Sequence, residues 1–153
     1  MTNANKGALL LILLFFAACK QEKSYVPNKL QVKQVKETFD LKNKWLIDGH
    51  VDSLKQIIHE EAVYGHSNCW VETYEDLTSV DTTTLDYIDV IVDDLEIFVV
   101  GQTGVIKGSG QFIGLYKQDT FDLNLCFVET YAFAKNKWKL VVRQSAKVPD
   151  EIN

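Results

Sequence analysis

The chain is short of the residues that mark several specialised protein classes. Its 153 residues include only two prolines and eight glycines, which excludes a collagen-like chain. Basic residues are also in deficit, with 16 Lys and Arg against 21 Asp and Glu, so the formal net charge is −5. Binding to a phosphate backbone needs clustered basic side chains, and we therefore expect no nucleic-acid partner. An apolar content of 46% is ordinary for a globular domain and argues against disorder.

Long apolar runs are missing as well. The longest, residues 8–18, has 11 residues, whereas a membrane-spanning helix needs about 20. A run of this length near the N-terminus is typical of a secretory signal. It stops at Cys19, and small residues directly before a cysteine resemble the lipobox of bacterial lipoproteins. The resemblance implies cleavage before Cys19 and a lipid on its thiol.

Two neighbours of this cysteine bear on the prediction. Phe16 departs from the lipobox, which favours Leu three residues before the cysteine, so an ordinary cleaved signal with an incidental Cys19 is the alternative. Lys20 is polar, which by the usual sorting rule argues against retention in the inner membrane. We expect a cell-envelope lipoprotein at the outer membrane or the surface, held to the membrane only through the lipid on Cys19.

The rest of the chain is long enough for one folded domain. We predict a signal peptide over residues 1–18, a lipidated tether over 19–28, a domain over 29–148 and a C-terminal tail over 149–153. Cys69 and Cys126 are the other two cysteines. An oxidising compartment permits a disulfide between them, and two unpaired buried cysteines are the alternative.

Apolar periodicity divides the domain into helices followed by strands. Spacings of three and four predict an amphipathic first helix, and Thr73-x-x-Asp76 resembles a capping box at the start of the third. We predict helices over residues 30–46, 51–59 and 73–80, and strands over residues 62–66, 85–100, 105–117, 121–135 and 138–147. A bulge is expected near residues 91–94. Three helices followed by a long antiparallel meander predict an α+β fold.

The last hairpin has a register that follows from its turn. A two-residue turn at Asn136-Lys137 predicts three pairs that share a face: Phe133 with Leu140, Tyr131 with Val142, and Glu129 with Gln144. This face is the more apolar one, so we expect it to be concave and covered by the helices, with Arg143 on the opposite face. The register also brings three glycines to the concave face, where each either bends its strand or leaves room for a ligand: Gly108, Gly110 and Gly114.

Motifs that would identify an enzyme class are missing. The sequence has no nucleophile elbow, phosphate loop or Cys-x-x-Cys pair. His59-Glu60-Glu61 does not match the metalloprotease helix, and the acidic residues between 86 and 96 lack the glycine and final glutamate of an EF-hand. We therefore predict no metal and no cofactor.

The order of the segments resembles a known family. A short strand ending in Tyr64-Gly-His-Ser-Asn68 and a last strand with Trp138-x-Leu-Val-x-x-Gln144 are similar to the SnoaL-like, nuclear transport factor 2-like superfamily. Residues 85–90, 95–98 and 137–142 resemble its bacterial branch of unknown function, although Cys69 replaces that branch's usual glycine. The resemblance covers about residues 30–147. It implies a cone, in which a curved antiparallel sheet wraps around N-terminal helices, with a pocket in its mouth and frequent dimers.

A candidate pocket follows from the resemblance and the register together. The resemblance points His66 into the cone, and the register brings Glu129 and Tyr131 to the same concave face. These three are the catalytic candidates, as general base, acid and oxyanion donor, although they could instead satisfy one another's hydrogen bonds. The residues predicted to line the pocket are Tyr64, His66, Phe112, Phe127, Glu129, Tyr131, Leu140 and Gln144.

Three functions are compatible with these features. We favour a lipid-anchored, non-catalytic module that binds a small, largely apolar ligand, because the concave face is apolar and no catalytic motif is complete. The second is a small cofactor-free isomerase, cyclase or dehydratase that transfers a proton between His66 and Glu129. The third is a structural dimerisation module. It would bury residues of the outer sheet face, namely Val128, Thr130, Ala132, Val141 and Arg143.

Overall fold

The structure, a computed structural model, describes residues 29–79 and 85–149. In chain order its elements are α1 (Lys29–Ile47), α2 (Val51–Ile57), β1 (Ile58–Gly65), β2 (Val71–Glu72), α3 (Tyr74–Thr78), β3 (Leu85–Val100), β4 (Thr103–Tyr116), β5 (Asp119–Ala134) and β6 (Lys137–Lys147). The predicted signal peptide and tether, with most of the predicted tail, lie outside the described residues. Within the described ranges, no helix has the length and apolar character needed to cross a bilayer.

The strands form one curved sheet in the order β2-β1-β6-β5-β4-β3. β1 runs parallel to β6, and every other neighbouring pair is antiparallel. Helix α1 packs against β3, β4 and β6, so its apolar face and the concave side of the sheet share one core. This architecture confirms the predicted α+β fold with helices on the concave face.

Helix α1 extends the predicted helix by one residue at each end. Val35 and Phe39 are buried on the face that meets the sheet, four residues apart as the periodicity predicted. The helix ends just before Gly49, whose φ of +68° lies in the left-handed region that favours glycine after a helix C-terminus. On the solvent side, Lys36 and Asp40 form an ion pair one turn apart.

The boundary between α2 and β1 differs from the prediction. The helix ends at Ile57, and Ile58 is already extended and pairs with Leu140 of β6. Both isoleucines are buried, so their hydrophobicity alone did not separate a helix end from a strand start. The third helix has the predicted capping box, in which the Thr73 amide donates to the Asp76 carboxylate at 2.8 Å.

The last hairpin turns one residue earlier than predicted. Lys135 and Asn136 both have positive φ, as a two-residue turn between twisted strands requires, and Ala134 pairs with Lys137. Tyr131 therefore pairs with Leu140 instead of Val142. The predicted register of this hairpin is wrong because the turn was placed one position too late.

A β-bulge then changes which side chains of β6 face the core. The register shifts between Thr130 and Tyr131, and beyond it Glu129 pairs with Arg143 instead of the predicted Gln144. Because side chains alternate along a strand, one extra residue exchanges the two faces. Arg143 is consequently buried and Gln144 is exposed, so the predicted positions of both were wrong.

The glycines of β4 allow close approach by neighbouring groups. A Cβ at Gly108 would lie 2.6 Å from the Asp94 carbonyl oxygen and 2.8 Å from the Phe127 ring. A Cβ at Gly110 would lie 2.4 Å from the Ile91 carbonyl oxygen. The pairing of β3 with β4 shifts register twice. The shift between Val92 and Asp94 lies where the bulge was predicted, and the shift between Tyr87 and Asp89 is a second one. The space beside these glycines is thus filled by protein atoms.

Both cysteines of the domain are free and exposed. The alternative of unpaired cysteines is confirmed, but the expectation that they are buried was wrong. Cys69 lies in the loop after β1 with a φ of +68°, where the resembling branch usually has glycine. The Cys126 thiol lies 3.6 Å from the Ala146 carbonyl oxygen on the outer face of the sheet.

Candidate functional site

The open end of the concave face contains a cavity of about 280 Å³. Its walls come from the loop after β1, the start of β3, the end of β4, the first half of β5 and the end of β6. They are mainly apolar or aromatic, with a few polar side chains among them. The lining residues are His66, Ser67, Asn68, Trp70, Leu85, Tyr87, Phe112, Tyr116, Phe121, Leu123, Leu125, Ser145 and Lys147.

His66 occupies a defined position in this wall. Its Nε2 atom lies 2.7 Å from Glu72 Oε2, and its ring stacks on Trp70 with a centroid separation of 4.6 Å. The backbone amide of His66 donates to the Trp70 carbonyl at 2.8 Å, which closes the intervening loop. The antiparallel pairing of β1 with β2 places Glu72 opposite Tyr64 and so beside the imidazole. This arrangement places an imidazole and a carboxylate within hydrogen-bond distance of each other at the cavity wall.

A second cavity of about 250 Å³ adjoins the first and has a more polar lining. The two share Trp70, Leu85 and Tyr87, so these side chains form the partition between them. The second cavity lies against the ends of α1 and α3, with Glu72 and Asp76 among its lining residues. Across the described residues, no group of three or more His, Cys, Asp and Glu side chains is arranged to hold a metal ion.

Behind the first cavity lies a buried ionic cluster formed by Lys42, Glu129, Tyr131 and Arg143. Lys42 Nζ donates to Glu129 Oε1, and Arg143 Nε lies 3.3 Å from the same oxygen. The Tyr131 hydroxyl donates to Glu129 Oε2 at 2.5 Å. The Lys42, Glu129 and Arg143 side chains are each 1% exposed. Both carboxylate oxygens of Glu129 are therefore engaged by groups of the protein.

The ionisation of this cluster follows from its burial. Burial lowers the pKa of Lys42 to about 8, and Arg143 also lowers it, while the charge of Glu129 acts in the opposite direction. Burial raises the pKa of Tyr64 and Tyr131 well above the ordinary value for tyrosine. Near neutral pH Lys42 and Arg143 are thus cationic, and the phenols of Tyr64 and Tyr131 are neutral.

Arg143 connects the cluster with the floor of the cavity. Its Nη1 atom donates to Ser145 Oγ at 3.1 Å, and Ser145 lines the cavity. The guanidinium carbon lies 4.6 Å from the ring centroid of Tyr64 and 5.2 Å from that of Phe112. Such stacking on aromatic faces is favourable for a guanidinium group.

The predicted pocket residues divide into three groups. His66 and Phe112 line the cavity. Gln144 is exposed and donates from Nε2 to the Ser145 carbonyl at 3.1 Å. The others are buried in the core or the ionic cluster behind the cavity, namely Tyr64, Phe127, Glu129, Tyr131 and Leu140. His66 has Glu72 as its carboxylate partner, whereas Glu129 binds Lys42 and Arg143.

Three charged residues of this region were not among the predicted site residues, namely Lys42, Glu72 and Arg143. Lys42 had a usable signal, because it follows Phe39 by three residues on the buried stripe of α1. Arg143 reaches the core only because of the bulge in the last hairpin, which the turn residues do not announce. Glu72 lies in a strand of two residues, too short for alternation to be recognised.

Comparisons with known proteins identify the fold. No protein-family model matches the sequence, and no curated protein matches it. Solved structures do match the chain. A candidate Ca/calmodulin-dependent kinase II association domain from Exiguobacterium sibiricum has a TM-score of 0.71 at 15% identity, over 83% of this chain and 99% of that one.

Two further structures agree. A nuclear transport factor 2-like protein from Cytophaga hutchinsonii has a TM-score of 0.70 at 16% identity, over 79% of this chain and 99% of that one. A candidate dehydratase of the same family from Streptomyces avermitilis has a TM-score of 0.67 at 12% identity, over 79% and 98%. At these identities the likeness establishes the fold alone, and it confirms the expected cone.

Proposed function

We propose that this chain, which has the nuclear transport factor 2-like fold, is a non-catalytic module that binds a small, largely apolar ligand in the cavity at the open end of the cone. The wall of that cavity carries the proposal. Tyr87, Phe112 and Phe121 provide aromatic surface, and Leu123 and Leu125 provide aliphatic surface. Pockets for small molecules are mostly apolar with a few polar groups, and about 280 Å³ suits a small ligand.

The ionic cluster supports binding over catalysis at Glu129. A general base must come within hydrogen-bond reach of a substrate proton. Glu129 is 1% exposed, and its oxygens already accept from Lys42 and Tyr131. Moving the Glu129 side chain away from these partners would leave buried charges uncompensated, which would destabilise the fold. We therefore assign Glu129 a structural role.

A neutral fluorescent probe tests ligand binding. N-phenyl-1-naphthylamine gains fluorescence in apolar pockets, and we expect saturable enhancement with the purified protein. Leu123→Trp should fill the cavity and weaken binding at least about tenfold, equivalent to about 1.4 kcal/mol. The matched control is Val128→Trp on the same strand, where the side chain is exposed on the outer face. Equal binding by the two variants would place the probe elsewhere and contradict the proposal.

We also propose that the domain is carried on a lipid anchor in the cell envelope. The proposal rests on the apolar run over residues 8–18 and the small residues before Cys19. Expression in a bacterial host with an alkyne-labelled fatty acid should label the protein, and Cys19→Ser should abolish the labelling. Persistent labelling of the variant, or no labelling of the natural chain, would contradict it.

Proton-transfer catalysis is the second candidate function, and it would use a different carboxylate from the one predicted. The observation in its favour is the 2.7 Å contact between His66 Nε2 and Glu72 Oε2 at the cavity wall. One structure similar to this chain is described as a candidate dehydratase. Small ketones incubated with the protein in D₂O would gain deuterium if His66 acts as a base, and His66→Gln should stop the exchange. Exchange that survives this substitution would exclude His66.

We further propose that two copies pair through the outer face of the sheet. A row of apolar or small side chains crosses five neighbouring strands of this face, and its members are Val63, Val142, Thr130, Val105 and Phe98. Exposed apolar patches of this kind mark interaction surfaces, and the same face of each copy can form the interface of a two-fold dimer. Arg143, predicted for this face, is not part of it because it is buried.

Sedimentation tests this pairing. Val142→Glu places a charge inside the row, between Val63 and Thr130, and should convert a dimer into a monomer. Leu30→Glu is the control, because Leu30 is an exposed apolar residue on α1 and not on the sheet. A natural chain that stays monomeric at high concentration would contradict the proposal.

A further inference from the structure

We propose that the ligand is an amphipathic carboxylate. Its acidic head group would bind at the closed end of the cavity against Ser145 and Arg143, and its apolar body would extend toward the mouth. This inference rests on the proposed binding function and adds the chemical class of the ligand. It combines an unsatisfied donor, an excess of buried positive charge and the contact between Arg143 and Ser145, which lines the cavity.

The unsatisfied donor belongs to Arg143. Its Nη2 atom is buried and has no hydrogen-bond partner among the described residues. Its Nε atom also lacks a hydrogen bond of good geometry, although it lies 3.3 Å from Glu129 Oε1. A buried donor without an acceptor loses its hydration without compensation, and the cost is greater for a charged group. Arg143 therefore retains the capacity to donate to an anion.

The charge of the cluster leads to the same class of ligand. Lys42 and Arg143 are both cationic at neutral pH, and Glu129 is the carboxylate they share. The nearby phenols of Tyr64 and Tyr131 are neutral there and do not offset the second cation. A buried charge without a partner is unfavourable, so an acidic head group would stabilise this region by completing the balance.

Two residues connect Arg143 to the cavity. Ser145 lines the cavity and accepts from Arg143 Nη1 at 3.1 Å, while its own hydroxyl donates to the Gly65 carbonyl over 3.3 Å. That long bond can be exchanged for a bond to a ligand oxygen. Phe112 also lines the cavity, and its ring lies 5.2 Å from the guanidinium carbon. The guanidinium thus lies directly behind the floor of the cavity.

The opposite orientation would place the head group near Lys147 at the edge of the cavity. Lys147 is exposed, so water and salt would screen its charge. Ser145 is 4% exposed, and interactions with Arg143 behind it are screened far less. Phe121 and Leu123 are half-buried and line the same cavity, so they offer apolar surface to the body of the ligand. The inference therefore commits to the closed end.

Competition against bound N-phenyl-1-naphthylamine tests the inference with three eight-carbon probes at pH 7. We expect octanoate to compete at least about tenfold more tightly than octan-1-ol, and octylamine to be the weakest. The net charge of −5 disfavours anions in general, so a carboxylate preference has to come from local groups. Octan-1-ol or octylamine competing as well as octanoate would overturn the inference while leaving apolar binding intact.

Three variants locate the head group. In Ser145→Ala and in Arg143→Met, octanoate and octan-1-ol should compete about equally well. Lys147→Met should keep the preference for octanoate. Arg143→Met leaves Lys42 paired with Glu129, so one charge of each sign remains in the cluster. If Arg143→Met does not fold, Ser145→Ala alone tests where the head group binds. Loss of the preference in Lys147→Met alone would overturn the orientation. Absence of probe binding to the natural chain would instead refute the proposed function.

Discussion

Two carboxylates on the same side of this sheet have very different surroundings. Glu129 lies in the buried ionic cluster with Lys42 and Arg143, and all three side chains are 1% exposed. Glu72 lies near the open end with His66 as its partner, and these side chains are 10% and 14% exposed. Glu129 has more partners than it has oxygens, whereas Glu72 borders a cavity on its free side. Burial and the number of partners, and not the residue type, decide whether a carboxylate has a structural role or remains available to a ligand.

The difference has an energetic basis. A buried ion pair gains little over well-packed apolar residues because removing its charges from water is costly, but breaking one leaves an uncompensated charge. A partly exposed pair loses less, since water replaces the missing partner. Substitutions at the two carboxylates should therefore differ in effect, and the following predictions are ordered from the largest change to the smallest.

Glu129→Gln should have the largest effect. It leaves both Lys42 and Arg143 without a buried carboxylate, so we expect the free energy of unfolding to fall by about 3–5 kcal/mol. Urea unfolding at neutral pH measures this loss. Lys42→Met is the control, because it keeps Arg143 paired with Glu129 one to one, and it should lose less than half as much. A Glu129→Gln variant as stable as the natural chain would refute the structural role of the cluster.

The pH dependence of stability should report on Lys42. Its pKa is about 8 in the folded chain and about 10.4 in the unfolded chain, so between these values the unfolded chain binds the extra proton. The free energy of unfolding should then rise with pH through this window, by about 2 kcal/mol from pH 7 to about pH 9.5. Urea unfolding of the natural chain and of Lys42→Met isolates the contribution, which the variant should lack. A difference that does not change with pH would contradict the depressed pKa.

Glu72→Gln should have the smallest effect. It removes the charge that faces His66 but keeps a hydrogen-bonding group, and we expect a loss of about 1 kcal/mol. Urea or thermal unfolding of Glu72→Gln and Glu129→Gln under the same conditions compares the two losses of stability. A loss as large as that of Glu129→Gln would mean that the pair of Glu72 with His66 is shielded from water as fully as the ionic cluster.

The sequence predicted the fold well because its signals are local. The stripe of Val35 and Phe39 placed α1, the pair Thr73 and Asp76 placed the start of α3, and alternation gave the bounds of β3. The candidate site was predicted only in part. His66 and Phe112 do line the cavity, but Lys42 was overlooked although it continues the stripe of α1.

By itself, the sequence determined the order of the three helices and of every strand except β2, the apolar concave face and the position of His66 at the end of the first strand. The tertiary structure decided which charges meet. One bulge in the last hairpin turned Arg143 into the core and Gln144 outward, and the short strand β2 gave His66 a carboxylate partner in Glu72. Periodicity depends on each residue's own neighbours, whereas a bulge and a long-range ion pair depend on the packing of distant strands, which no local pattern records.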